Sequence, residues 1–152
     1  MRPPSERVLL LSLKPTYADA ILDGRKTVEL RRVRPRALPG TTVLIYASTP
    51  RRALLGGCEV VGVRTGEPDE VWDLHGPLTS VDRPTYDAYF EGASTAVAIQ
   101  VGNPWRLLNP IPLEALRLLG SEFEPPQSFR YVPKSACRSI LRRATLPQPR
   151  SA

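Results

Sequence analysis

Apolar residues run unbroken from Val8 to Leu11 and return at Leu13, the pattern of a strand buried on both faces. Lys14-Pro15 interrupts it. Pro15 suits a first helical position, because its ring pre-sets the backbone angle and its missing N–H has no partner there. Tyr17, Ala20, Ile21 and Gly24 fall on or near one helical face, and Gly24 fits the left-handed position after the last turn. From about Lys26 to Val33 the period changes to two. Val28 and Leu30 share one face of this second predicted strand; Thr27, Glu29 and Arg31 share the other.

Further along, Thr41 to Ser48 is rich in Val, Ile and Tyr and predicts a third strand. Gly56 to Val63 predicts a fourth, with Gly56-Gly57 marking a bulge or a close backbone approach. Basic connections, Arg34 to Gly40 and Pro50 to Leu54, flank the third strand. Glu67 to His75 and Pro84 to Gly92 read as short helices, and core packing suits Tyr86, Tyr89 and Phe90 better than base stacking. His75 reads as a helix-end residue. Ala93 to Val101 alternates as a fifth strand. Pro104-Trp105 and Asn109-Pro110-Ile111-Pro112 follow, then a short helix from Leu113 to Leu119 ended by Gly120. Lys134 to Arg143 predicts a basic amphipathic helix with Ile140 and Leu141 inward. The expected layout is one domain, residues 1–143, and a disordered tail, 144–152.

Composition sharpens this picture in one respect. The chain has 152 residues, enough for one real core. Lys+Arg number 21 against 15 Asp+Glu, a formal charge of +6, and apart from Lys14, Lys26 and Lys134 the cations are arginines. Arginine offers a planar fork of donors suited to phosphates and base edges, so the charge has the footprint of a nucleic-acid binder. Charge alone does not establish that function, because GC-rich bacterial genomes favour arginine, alanine and proline codons. Cys58 and Cys137 read as buried thiols. A single histidine gives no triad and no zinc spacing, so neither metal nor cofactor is expected. No apolar run approaches a membrane span, and the N-terminal run is short and lacks a cleavage site, which points to the cytoplasm.

Lys14-Pro15, Tyr17-Ala18, Ile21, Gly24, Lys26, Glu29 and Arg31 together resemble the signature of the ASCH family, a branch of the PUA-like β-barrels. The resemblance implies an α+β fold: a PUA-like mixed β-barrel of five or six strands with short helices packed at its ends. The stretch from about Glu67 to Gly92 reads as an insertion relative to the smallest members. Resemblance also implies nucleic-acid recognition, of DNA or RNA, in a cleft lined by the G-x-K-x-x-E-x-R strand, with a modified base such as 5-methylcytosine as one ligand.

The residues expected at that cleft are Lys14, Tyr17, Lys26, Glu29, Arg31, Tyr46 and Ser48. Phe129, Arg130 and Tyr131 join them, as base-stacking aromatics or as closure of the barrel core. Arg34, Arg36, Arg51 and Arg52 are the expected phosphate contacts. Glu59 is polar within an apolar strand and reads either as exposed or as aimed at the Lys26/Glu29 group. An enzyme is the alternative: a ribonuclease or an acetylated-cytidine amidohydrolase using Lys26, Glu29 and Glu59. The amidohydrolase pattern implied by the family has threonine where this chain has Glu29, and a carboxylate does not replace a hydroxyl.

Overall fold

The computed structural model describes residues 7–142. Six strands form one mixed sheet: β1 (Arg7–Leu13), β2 (Val28–Arg31), β3 (Thr42–Ala47), β4 (Ala53–Gly66), β5 (Ala96–Pro112) and β6 (Phe129–Pro133). Their order across the sheet is β2-β5-β4-β3-β1-β6. β1 and β3 are parallel, and the remaining pairs are antiparallel. Five helices accompany them: α1 (Pro15–Leu22), α2 (Pro68–His75), α3 (Arg83–Tyr89), α4 (Leu113–Leu119) and α5 (Lys134–Leu141). The expected tail at 144–152 lies outside the described residues.

Alternation along the strands divides the apolar residues into three clusters. The concave side holds Leu9, Leu11 and Leu13 of β1, Val43 and Ile45 of β3, and Val97 and Ile99 of β5, with Ala18, Ile21 and Leu22 of α1. The opposite face of β1 and β3 carries Val8, Leu10 and Leu44, covered by Leu116 of α4 and Ile140 of α5. A third cluster packs Val28 and Leu30 of β2 against Val71 of α2, Tyr86 of α3 and Phe90. β1 is thus buried on both faces, as its unbroken apolar run requires.

The mixed six-stranded sheet and short helices agree with the expectation, but the backbone ladder does not close into a barrel. β2 and β6 are its two edges. Side chains span the gap instead. Arg31, at the end of β2, donates from Nη1 to the carbonyl and hydroxyl oxygens of Ser128, each at 3.1 Å, and from Nη2 to the Ser12 carbonyl at 3.2 Å. The Arg36 amide donates to the Tyr131 hydroxyl at 2.6 Å. Among the described residues α1 joins the concave cluster, and α2, α3, α4 and α5 pack in the other two clusters.

β5 also extends well beyond the predicted fifth strand, through three prolines. Pro104 and Pro110 fall where the β4–β5 register shifts, between Gly57/Glu59 and between Leu54/Gly56, and Pro112 ends the strand. At such irregularities a missing N–H costs no ladder bond. Gly56 and Gly57 are required at the same place. A Cβ at Gly56 would lie 2.1 Å from the Trp105 carbonyl oxygen, and one at Gly57 2.4 Å from the Val43 oxygen.

Gly56→Ala is therefore expected to lose about 2–3 kcal/mol in denaturant titration, because backbone atoms cannot move aside. Gly62→Ala is expected to lose much less, since its Cβ meets only the Gln100 side-chain end at 3.0 Å.

Candidate functional site

β2 places a charged face inside the protein. Glu29 and Arg31 pair in register with Ile99 and Val97, whose side chains belong to the concave cluster. Glu29 and Arg31 are only 5% and 6% exposed, so the strand is not half-solvated as its alternation alone would allow. Lys26 is 1% exposed. The chain delivers it there by turning at Gly24, at φ +81°, while the Arg25 and Lys26 amides both donate to the Ala20 carbonyl.

These three side chains form one ion cluster. Lys26 Nζ lies 3.3 Å from Glu29 Oε1, and Arg31 Nη2 lies 2.8 Å from Glu29 Oε2. Lys26 also donates to the Thr79 carbonyl and stands 5.0 Å from the centre of the Tyr17 ring. Burial pulls the Lys26 pKa below its ordinary value; Glu29 opposes the shift and Arg31 adds to it.

A second group gathers at the carboxyl ends of β1 and β3. Ser12 and Tyr46 are register partners, and the Ser12 amide donates to the Ser128 carbonyl at 3.2 Å. Arg31 therefore binds β1 next to Tyr46 and also the segment leading into β6 on the other side of β1. Tyr46 is 3% exposed, and burial raises its phenol pKa against the pull of Arg52 and Arg117. Arg117 in turn clamps the Glu124 carboxylate at 3.1 and 3.0 Å, and Arg130 donates to the Glu124 carbonyl at 3.1 Å.

Tyr46 packs in the outer-face cluster with Val8, Leu10 and Leu44, not on the concave side with the ion cluster. Alternation along β3 explains it: Ile45 and Ala47 take the concave side, so Tyr46 takes the other. Ser48 ends the strand in a turn, its carbonyl accepting from the Arg51 and Arg52 amides. Both arginines are exposed, and so are Lys14, Arg34 and Arg36. Arg34 is tied down, donating to Thr65 Oγ1 at 2.9 Å and to the Val63 carbonyl at 3.3 Å. Phe129 and Tyr131 meet edge to face at 6.0 Å and are partly buried against the concave cluster, so they close the core and keep a rim.

Glu59 is exposed and accepts from Asn103 Nδ2 at 3.2 Å, whereas the carboxylate paired with Lys26 is Glu29. His75 is more than a helix-end residue: it is buried, and neither ring nitrogen has a partner. Among the described residues no group of three His, Cys, Asp or Glu is arranged to hold a metal ion. Ser12, Thr79, Arg117, Glu124 and Ser128 escape the sequence reading. Arg31 and Ser128 are 97 residues apart, and no local pattern joins them.

Glu29→Ala leaves two buried cations without their carboxylate and is expected to cost about 3–5 kcal/mol in chemical denaturation. Lys26 has a native pKa below the ordinary 10.5, so the unfolded chain binds more protons between the two values. Stability is therefore expected to rise with pH across that window, and Lys26→Met is expected to flatten the rise.

Comparison with known proteins places this geometry. A Zymomonas mobilis protein named ASCH domain-containing ribonuclease is 29% identical over 138 residues, covering 91% of this chain and 93% of the relative. The crystal structure of ASCH from Zymomonas mobilis superposes with a TM-score of 0.87 at 27% identity, covering 95% of this chain and 99% of that one. The N-terminal domain of Staphylothermus marinus McrB shares the fold alone, with a TM-score of 0.60 at 10% identity, covering 90% of this chain and 93% of that one. The fold is PUA-like. The ASCH domain model matches residues 11–110, and this chain belongs to the ASCH domain family.

Proposed function

We propose that this chain binds RNA and cleaves its backbone at the sheet end where Arg31 gathers Ser12 and Ser128 beside Tyr46 and Arg52. The observation that carries the reading is the Arg31 bridge: one guanidinium holds both segments of the site. The relative named a ribonuclease, aligned along nearly the whole chain, supports the choice of RNA and of cleavage.

The chemistry fits the residue types. Cleavage at a phosphodiester builds negative charge on the non-bridging oxygens, and preorganised cations stabilise it most where water is thin. Arginine forks match those oxygens two at a time. Arg52 stands beside the Tyr46 hydroxyl, a pairing that can hold a proton close to such an oxygen. Arg34, Arg36 and Arg51 are exposed along the neighbouring loops and supply the salt-dependent grip on the backbone. Lys26 and Glu29 are committed to the buried ion cluster. They position Arg31.

A second reading keeps the binding and drops the cleavage: a reader of a modified base, 5-methylcytosine among the candidates, in DNA or RNA. The half-buried Tyr17 beside Lys26, and the Phe129–Tyr131 pair, favour it as surfaces against which a base would stack. The amidohydrolase reading is the weakest, because Glu59 is exposed and engaged with Asn103.

Binding and cleavage are to be measured together on matched RNA and DNA oligonucleotides, with and without methylated cytosine, at several salt concentrations. RNA is expected to be bound and cut, with affinity falling as salt rises. Tyr46→Phe and Arg52→Ala are each expected to lower kcat/KM about 100-fold while the fold survives by circular dichroism. Binding without product, stronger on methylated strands, would replace the ribonuclease with the base reader.

A further inference from the structure

Cleavage of a phosphodiester through the neighbouring ribose hydroxyl needs two proton movements, one off the attacking oxygen and one onto the leaving oxygen. The Tyr46 hydroxyl beside Arg52 accounts for the second. The first needs a base on the same side of the sheet. Glu29 is held by Lys26 and Arg31 in the ion cluster, and Glu59 is engaged with Asn103. Glu124 is placed differently. Tyr46 packs in one cluster with Leu116 of α4 and with Phe123, and the residues that follow these two are Arg117 and Glu124. The backbone ties the same corner together: the Leu113 amide at the start of α4 donates to the Arg52 carbonyl at 3.0 Å, and Arg117 lies one turn further along that helix. The Tyr46 phenol accordingly feels Arg52, Arg117 and Glu124 together.

Glu124 is held firmly without being used up. Arg117 grips both carboxylate oxygens through Nε and Nη2, and Arg130 donates to the Glu124 carbonyl, so side chain and backbone are both fixed. An ionised carboxylate has about four acceptor positions, and an arginine fork takes two of them. The Glu124 side chain is 49% exposed, which leaves the others open to a ligand. Arg117 also holds the carboxyl below the ordinary glutamate range, so it is ionised at neutral pH.

We propose that Glu124 is the general base of the cleavage reaction, with Arg117 as the residue that positions it. This rests on the RNA reading above and gives the reaction its course. Glu124 takes the proton of a ribose 2′-hydroxyl, and the 2′-oxygen forms a bond to the adjacent phosphorus. The bond from phosphorus to the 5′-oxygen breaks, and that oxygen takes the Tyr46 proton. The products are a 2′,3′-cyclic phosphate and a 5′-hydroxyl. Glu124 then loses its proton to water and Tyr46 regains one, so no further reactant is consumed. DNA has no 2′-hydroxyl and is left intact.

The test is the pH profile of kcat/KM on an RNA oligonucleotide, with the new ends identified by mass spectrometry. Activity of the wild type is expected to fall on the acid side, below the ordinary glutamate value of 4.5, because a base works only when deprotonated. Arg117→Met removes the group that depresses the Glu124 pKa, so its acid limb is expected to move to higher pH. Glu124→Gln keeps the shape and is expected to lower kcat about 100-fold with little change in KM and to lose that limb. Glu124→Asp is expected to recover part of the rate and the limb with it. Wild-type kcat and an unchanged limb in a folded Glu124→Gln would overturn the inference and leave the ribonuclease standing, as would 5′-phosphate ends. If Glu124→Gln does not fold, the Arg117→Met profile decides, and an unmoved limb overturns the inference. A wild type that cuts no RNA overturns the RNA reading and this inference together.

Discussion

A buried guanidinium helps to join the parts of this protein that the backbone leaves apart. The sheet is open between β2 and β6, and Arg31 spans the opening through Ser128 and Ser12. Arg31 can be buried because Glu29 neutralises it, and Glu29 is held in turn by Lys26. The chain of dependence runs from the Gly24 turn to Lys26, from Lys26 to Glu29, and from Glu29 to the seam. Buried ion pairs seldom add stability over apolar packing, but breaking one is severe.

The same contact connects the sheet seam to the proposed site. Ser12 and Ser128 are held by Arg31 at the carboxyl end of β1, and Tyr46 is the register partner of Ser12 on β3. A core-facing charge cluster on one side of the sheet is thus one ladder step from Tyr46 on the other. Apolar packing supplies the rigidity this needs. Three clusters cover both faces of the sheet, so β1 and β3 have no solvated side on which to slip.

Much of this was legible in the sequence, for reasons that are local. The unbroken run at Val8–Leu11, Pro15 opening a helix, Gly24 closing it and the paired glycines of β4 each report a nearby backbone requirement. The G-x-K-x-x-E-x-R spacing marked Lys26, Glu29 and Arg31, and the structure brings those three together. Pattern could not tell a solvated charged face from a buried one, because both alternate with period two. Nor could it place Tyr46, whose side of the sheet depends on which face of β3 turns concave. Ser12 and Ser128 carry no signal at all until the two sheet edges meet. The length of β5 was hidden by Pro104, Pro110 and Pro112, which sit where the ladder shifts or ends.

The most direct measurement of whether the Arg31 seam organises an RNA site is a backbone amide map of binding. A short 2′-O-methylated RNA, which resists cleavage by its own 2′-oxygen, would be titrated into nitrogen-15-labelled protein. The account predicts that the largest shifts fall on Ser12, Ser128 and Arg52, with the amides of β2 responding beside them. Shifts confined to other surfaces, or an unmoved Ser12 and Ser128 at saturation, would contradict it.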